Sequence, residues 1–250
     1  MEKFTKILSS FHIKDELNPE IWTNPDSPSD TKMKEEIRLQ LIEIADKFIE
    51  FLGYDIFVQD ITMTGSLANY NWSEYSDIDL HIMYDYKESG PEEELFKDLF
   101  KLKKTLFNST HDITVKGYEV ELYVQDLNES HFSTGVYSVL FNEWIEEPSK
   151  EEVKIDEERL QEKVDSWMEK IDTLLDSVED EDLDQALETI DKFKDQLKKY
   201  RSCGLESEGE YSYENLVFKF LRRNGYIQKL FDFTNELMDK NLSLEQEIEE

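Results

Sequence analysis

Two aspartates one residue apart, Asp77 and Asp79, are the side chains in this sequence best placed to do chemistry. They open an apolar run, Ile78 to Met83, that reads as a β-strand. Side chains alternate along a strand, so both carboxylates face one side with Cα atoms roughly 6.5 to 7 Å apart. Such a pair repels itself unless a cation lies between, and Mg²⁺ prefers carboxylate oxygens plus substrate phosphates over an all-protein cage. The pair alone says little: with 59 acidic residues in 250, about 14 acid-x-acid triplets arise by chance. Thr64-Gly65-Ser66, directly after a β-rich run from Ile56 to Met63, adds to it. Glycine lets the backbone approach a phosphate and serine can donate its hydroxyl to the same group, although Gly-Ser is also an ordinary turn.

The elements that must hold these residues follow from periodicity. After a turn-rich stretch from Asn18 to Asp30, the apolar residues Ile37, Leu41, Ile44, Phe48 and Leu52 predict a helix, with Asp30 or Thr31 as its cap and Gly53 at its end. Pro91 opens a second helix with Leu95, Leu99, Leu102 and Leu106 on one face. A strand pair, Ile113 to Lys116 and Tyr118 to Val124, is separated at Gly117, and Val136 to Ile145 reads as a further strand. Beyond Pro148 the chain turns acidic, helical and poor in glycine. Leu160 to Leu174 and Leu183 to Leu197 mark a helical hairpin turned by an acidic linker, Ser177 to Asp184. A loop at Ser202 to Gly209, two helices (Tyr213 to Arg223 and Tyr226 to Lys240) and a fraying acidic tail, Glu245 to Glu250, complete the chain. The expected fold class is α/β (α+β), a small mixed sheet flanked by helices in residues 1–150, followed by an all-helical domain in 151–250.

Composition narrows the partners. A formal charge of -31 repels polyanions, and no basic stripe is present to displace counterions, so long nucleic acid is a disfavoured partner. No apolar run is long enough to span a bilayer and no signal-peptide layout appears, which leads to the expectation of a cytoplasmic protein. The one cysteine, Cys203, has no Cys or His at ligand spacing and reads as a half-buried loop thiol.

The succession of strand, Gly65-Ser66, loop and then Ser76-Asp77-Ile78-Asp79-Leu80 on the next strand resembles the signature of the polymerase-beta superfamily of nucleotidyltransferases. The stretch from about Leu17 to Asp126 is also similar to nucleotidyltransferase-domain proteins of large tailed bacteriophages. The loop departs from the usual type: Asn69 and Tyr70 stand where small family members often carry Arg and Gly, so it offers phosphate no cation. The resemblance implies a third carboxylate on a later strand. Glu119 and Glu121 share a face, and the apolar flanks of Val120-Glu121-Leu122 favour Glu121, while either also suits the solvent face of an edge strand. It further implies that Asp77, Asp79 and Glu121 hold Mg²⁺ (or Mn²⁺), with Gly65 and Ser66 on the nucleotide. The activity implied is transfer of a nucleoside monophosphate from an NTP, expected to be ATP, to a hydroxyl with release of pyrophosphate. The acceptor is open: a small molecule, a protein side chain, an RNA end, which the charge disfavours, or another nucleotide as in cyclic-oligonucleotide synthesis. Alternatives are a non-catalytic binding module of the same fold, which intact carboxylates argue against, and an antitoxin-like adenylyltransferase that modifies a protein.

In this superfamily a helical domain commonly offers basic residues to the triphosphate, which singles out Lys219, Arg222 and Arg223; surface ion pairs would explain them equally. His81, two residues past Asp79, reads as a neighbour that orients carboxylates or assists the acceptor. His131, Ser133, Thr134 and Gly135 form a polar loop that can supply donors to a phosphate or ribose. Tyr70, Trp72 and Tyr137 suit either a base stack or the core.

Overall fold

The structure, a computed structural model, describes residues 2–129, 133–150, 154–179 and 181–243. Its elements in chain order are α1 (Glu2–Ser9), α2 (Glu35–Leu52), β1 (Asp60–Thr64), β2 (Ile78–Tyr84), α3 (Glu93–Thr110), β3 (Thr114–Val115), β4 (Tyr118–Asp126), β5 (Val136–Ser138), β6 (Glu143–Glu146), α4 (Glu157–Val178), α5 (Leu183–Glu208), α6 (Tyr213–Arg223) and α7 (Tyr226–Leu242). They fall into two compact units, His12–Glu152 and a helical one made of Met1–Phe11 with Val153–Glu250. The first eleven residues, which the sequence reading kept with the sheet, thus belong with the helices.

The sheet unit is built on six strands in the order β3-β4-β2-β1-β5-β6. β2 and β4 run parallel, joined by α3 as the crossover helix, and the other neighbours are antiparallel. Alternation along β2 and β4 sends Ile78, Leu80, Ile82, Val120 and Leu122 into the core, where α2 contributes Ile37, Leu41, Ile44, Phe48 and Leu52. The opposite face of the same strands carries Asp79, His81, Glu121 and Tyr123.

Several elements depart from the sequence reading. α2 begins at Glu35 with Lys34 at the cap position and no side-chain cap; Thr31 lies three residues before that position, and its hydroxyl serves the preceding turn through the Ser27 carbonyl at 2.7 Å and that of Asn24. Gly53 does end α2, in the left-handed region at φ 71°. β1 starts at Asp60, four residues after Ile56, and Pro91 lies in the 3-10 turn before α3. The leucines of α3 do not form its core face: Phe100 and Phe107 are buried, whereas Leu95, Leu102 and Leu106 are exposed. Aromatic rings bury more area than leucine, and Phe107 meets Phe48 and Phe51 at ring distances of 5.1 and 5.2 Å. The stretch Val136 to Ile145 is two strands rather than one, turned at Asn142, whose φ is 61°. Tyr137 holds that turn by donating to Asn142 Oδ1 at 2.8 Å.

In the helical unit, Asp156, Asp182 and Ser212 cap α4, α5 and α6 with their side chains. The expected loop at Ser202 to Gly209 is instead the last turns of α5, with Cys203 exposed on it. Within that stretch a Cβ on Gly204 would lie 2.5 Å from Glu214 Cβ and 2.7 Å from Ser212 Oγ, so glycine serves the close approach of α6 rather than a chain break. Phe4 of α1 packs on Phe220 of α6 at 4.5 Å between ring centroids. Among the described residues no helix is long and apolar enough to cross a membrane. The acidic tail lies outside the described residues.

Candidate active site

The register of the three central strands assembles the site. Thr64 of β1 pairs with Asp79 of β2, and Asp79 pairs with Glu121 of β4, while Asp77 stands one residue ahead of β2. Asp77, Asp79 and Glu121 are each half-buried and offer carboxylate oxygens within 4.8 Å of one another. Glu119 is exposed and opposite Thr114 of β3, outside that group. At an effective dielectric of about 20, unit charges that close repel by about 3 kcal/mol per pair. Three hard oxygen donors open on one side fit a divalent cation such as Mg²⁺ or Mn²⁺ whose shell is completed by phosphate oxygens.

Gly65 leaves β1 with φ 78° and ψ -164°, a conformation essentially reserved for glycine. A Cβ at this position would fall 2.0 Å from Asp79 Oδ2, so the backbone passes directly against the carboxylate. Ser66 opens a short 3-10 turn and its hydroxyl donates to Ser76 Oγ at 2.7 Å; Ser76 Oγ also accepts from the Ser73 amide at 2.9 Å. The loop that precedes Asp77 is therefore fastened to the Gly-Ser turn. Asn69 is buried and fastens it on the other side: its Nδ2 donates to the Gly65 carbonyl at 3.3 Å, and its Oδ1 accepts from Thr134 Oγ1 at 2.9 Å. Gly135 belongs to the same packing, since a Cβ on it would lie 2.2 Å from the Ala68 carbonyl.

Next to the triad stands a stack that the sequence reading did not assemble. The Tyr123 hydroxyl donates to Glu121 Oε2. The imidazole of His81 lies parallel to one face of the Tyr123 ring at 4.9 Å, and Lys104 Nζ sits over that ring, 3.7 Å from its centroid. His81 is in turn hydrogen-bonded to Thr64 Oγ1 at 3.1 Å. Burial, and then the bond to Glu121, push the Tyr123 phenol far above its usual range, so it stays a donor. Burial pulls the Lys104 ammonium down, against the charges of Glu121 and Asp79, which pull it up. Lys104 thus places a cation within the field of the triad. Its contact arises from the crossover helix, 17 residues before Glu121 in sequence, and no local pattern marks it.

With this geometry in view, the family comparison is decisive. The sequence matches the nucleotidyltransferase domain family over residues 41–202, well over half of the chain. The chain belongs to the nucleotidyltransferase domain family. No curated protein sequence matches it. A solved structure that is similar is the STING-associated CdnE c-di-GMP synthase from Capnocytophaga granulosa, at 13% identity and a TM-score of 0.24, with 96% of this chain and 100% of that one covered. At that score the likeness adds nothing on fold or activity.

The remaining sequence candidates of this nucleotidyltransferase take varied places. Tyr70 and Tyr137 are core residues, and Trp72 is half-buried with its indole N–H on the Glu16 carbonyl at 2.9 Å. Ser133 and Thr134 hold the Asn69 loop, and His131 lies outside the described residues. Lys219, Arg222 and Arg223 share α6 of the helical unit. There Lys219 pairs with Glu210 at 2.6 Å, and Arg223 donates to Ser10 Oγ at 2.6 Å with its guanidinium over the Phe11 ring. Arg201 of α5, not singled out from sequence, adds a half-buried guanidinium whose charge is disfavoured first by burial and then by Arg222.

Proposed function

We propose that the protein transfers a nucleoside monophosphate from an NTP, expected to be ATP, to a hydroxyl acceptor and releases pyrophosphate. The observation that carries this reading is the convergence of Asp77, Asp79 and Glu121 against the glycine turn at Gly65. Bound there, Mg²⁺ or Mn²⁺, in the two-ion arrangement, supplies charge neutralisation on the triphosphate and an acidified acceptor hydroxyl. The chain's own residues do the positioning. Asp77 and Asp79 present oxygens from one strand start, Glu121 faces them across the parallel register, and Tyr123 restrains the Glu121 carboxylate through one of its oxygens. Gly65 offers the phosphates a close backbone approach, and Ser66 a hydroxyl that turns from Ser76 Oγ to donate to them. Lys219, Arg222 and Arg223 belong to this proposal on charge alone; two of them already hold partners, so Arg222 is the first to test. A chain charge of -31 favours a small-molecule, nucleotide or protein hydroxyl over a long RNA end.

The test follows the label. With α-labelled NTP and Mg²⁺ or Mn²⁺, label is expected on an acceptor. With γ-labelled NTP it is expected in pyrophosphate, and both are expected to vanish in Asp79→Ala. Release of inorganic phosphate alone, or full turnover by Asp79→Ala, would sink the reading.

A further inference from the structure

α3 is apolar on two sides. Its aromatic side, Phe100 and Phe107, is buried in the core. Roughly 130° round the helix, Leu95, Leu102 and Leu106 are 65%, 69% and 52% exposed, with half-buried Leu99 on the border. Single exposed leucines are ordinary; four leucines at steps of four, three and four have the spacing of a helix-pairing seam. Tyr54, 44% exposed and edge-on to Phe96 at 5.1 Å, widens the apolar surface.

Charge decides what covers this seam. Within a chain of net charge -31, the first half of α3 carries Glu93, Glu94 and Asp98 with one lysine, Lys97, which Glu93 and Glu94 hold at 2.6 and 3.5 Å, and from its middle onward its charged residues are all cations, Lys101, Lys103 and Lys104. On the exposed side Glu94 and Asp98 precede Lys101. A helix that runs from acidic to basic is complementary to itself when two copies lie antiparallel. Most other faces of two such acidic chains repel one another, so this near-neutral strip is where a second copy is admitted.

We propose that α3 is a self-association face on which two copies of the chain pair antiparallel about a twofold axis between Phe100 and Lys101. Leu95 then lies opposite Leu106 of the second copy, Leu99 lies opposite its Leu102, and Asp98 comes within about 3 Å along the axis of the level of its Lys101. An 18-residue helix covers less than the ~800 Å² per partner of a standard interface. The pair is therefore weak and depends on concentration. The proposal is independent of the catalytic reading.

Sedimentation of the full chain over a concentration series, at about 0.15 M salt, tests it. Wild type is expected to shift from monomer to dimer, and Leu102→Glu to move the midpoint about tenfold or more. Asp98→Lys is expected to weaken pairing, and Asp98→Lys combined with Lys101→Glu to restore it. Leu102 and Asp98 are exposed, so these variants keep the fold, which circular dichroism checks. A chain that stays monomeric at every concentration overturns the proposal, whether its own helices or another protein cover the seam. A dimer indifferent to Leu102→Glu overturns it too, and a charge swap as weak as Asp98→Lys alone overturns the antiparallel pairing.

Discussion

Gly65 and Asp79 constrain one another more tightly than any other pair in the site. With φ in the positive range and a virtual Cβ 2.0 Å from the Asp79 carboxylate, Gly65→Ala is expected to destabilise by about 1–3 kcal/mol. The carboxylate must also move, so turnover should fall by more than the loss of folded protein explains, as urea denaturation and pyrophosphate release measured side by side would report. Tyr123→Phe asks a different question. It removes one hydroxyl and keeps the ring that His81 and Lys104 both contact. Metal affinity, followed by Mn²⁺ titration, is expected to drop about 10–100-fold with the fold intact; unchanged affinity would make the Tyr123–Glu121 bond incidental. The shared face of Asp77 and Asp79 was legible because strand alternation fixes residues two apart, whereas their meeting with Gly65 and Ser66 rests on the β1–β2 register that sets Thr64 opposite Asp79. Glu119 and Glu121 were not separable that way, since alternation puts both on one face. The parallel register with β2 separates them, and register is set by tertiary packing. Tyr123 and Lys104 lay beyond reach for the same reason.

α3 shows how an element can be found correctly and oriented wrongly. Both the Leu series and the Phe series recur at helical spacing, so periodicity predicts the helix without choosing its buried side. The choice falls to ring packing against α2, through Phe48 and Phe51. Phe107→Ala is accordingly expected to cost about 3–5 kcal/mol, and Leu106→Ala to stay within about 0.5 kcal/mol, both by urea denaturation of dilute protein. Equal losses would return the leucines to the core. The loop expected at Ser202 to Gly209 is helix because the apolar spacing fades there while the chain continues α5; Gly204 marks a close helix crossing that only the approach of α6 reveals. The two-strand turn at Asn142 was missed because a left-handed residue other than glycine leaves little local signal.

At the scale of the whole chain, the sheet unit carries the carboxylates and the glycine turn, and the family match over residues 41–202 extends into the helical unit. The -31 charge sets a background hostile to any triphosphate, against which bound cations matter more than in a neutral protein. A divalent metal at Asp77, Asp79 and Glu121 is thus the condition on which activity should turn. The most direct check is pyrophosphate release from NTP as Mn²⁺ is titrated into wild type, Asp77→Asn, Asp79→Asn, Glu121→Gln and Glu119→Gln. Saturating release by wild type and Glu119→Gln, with the other three flat, is the expected result; release by Asp77→Asn or Asp79→Asn at the wild-type rate would contradict it.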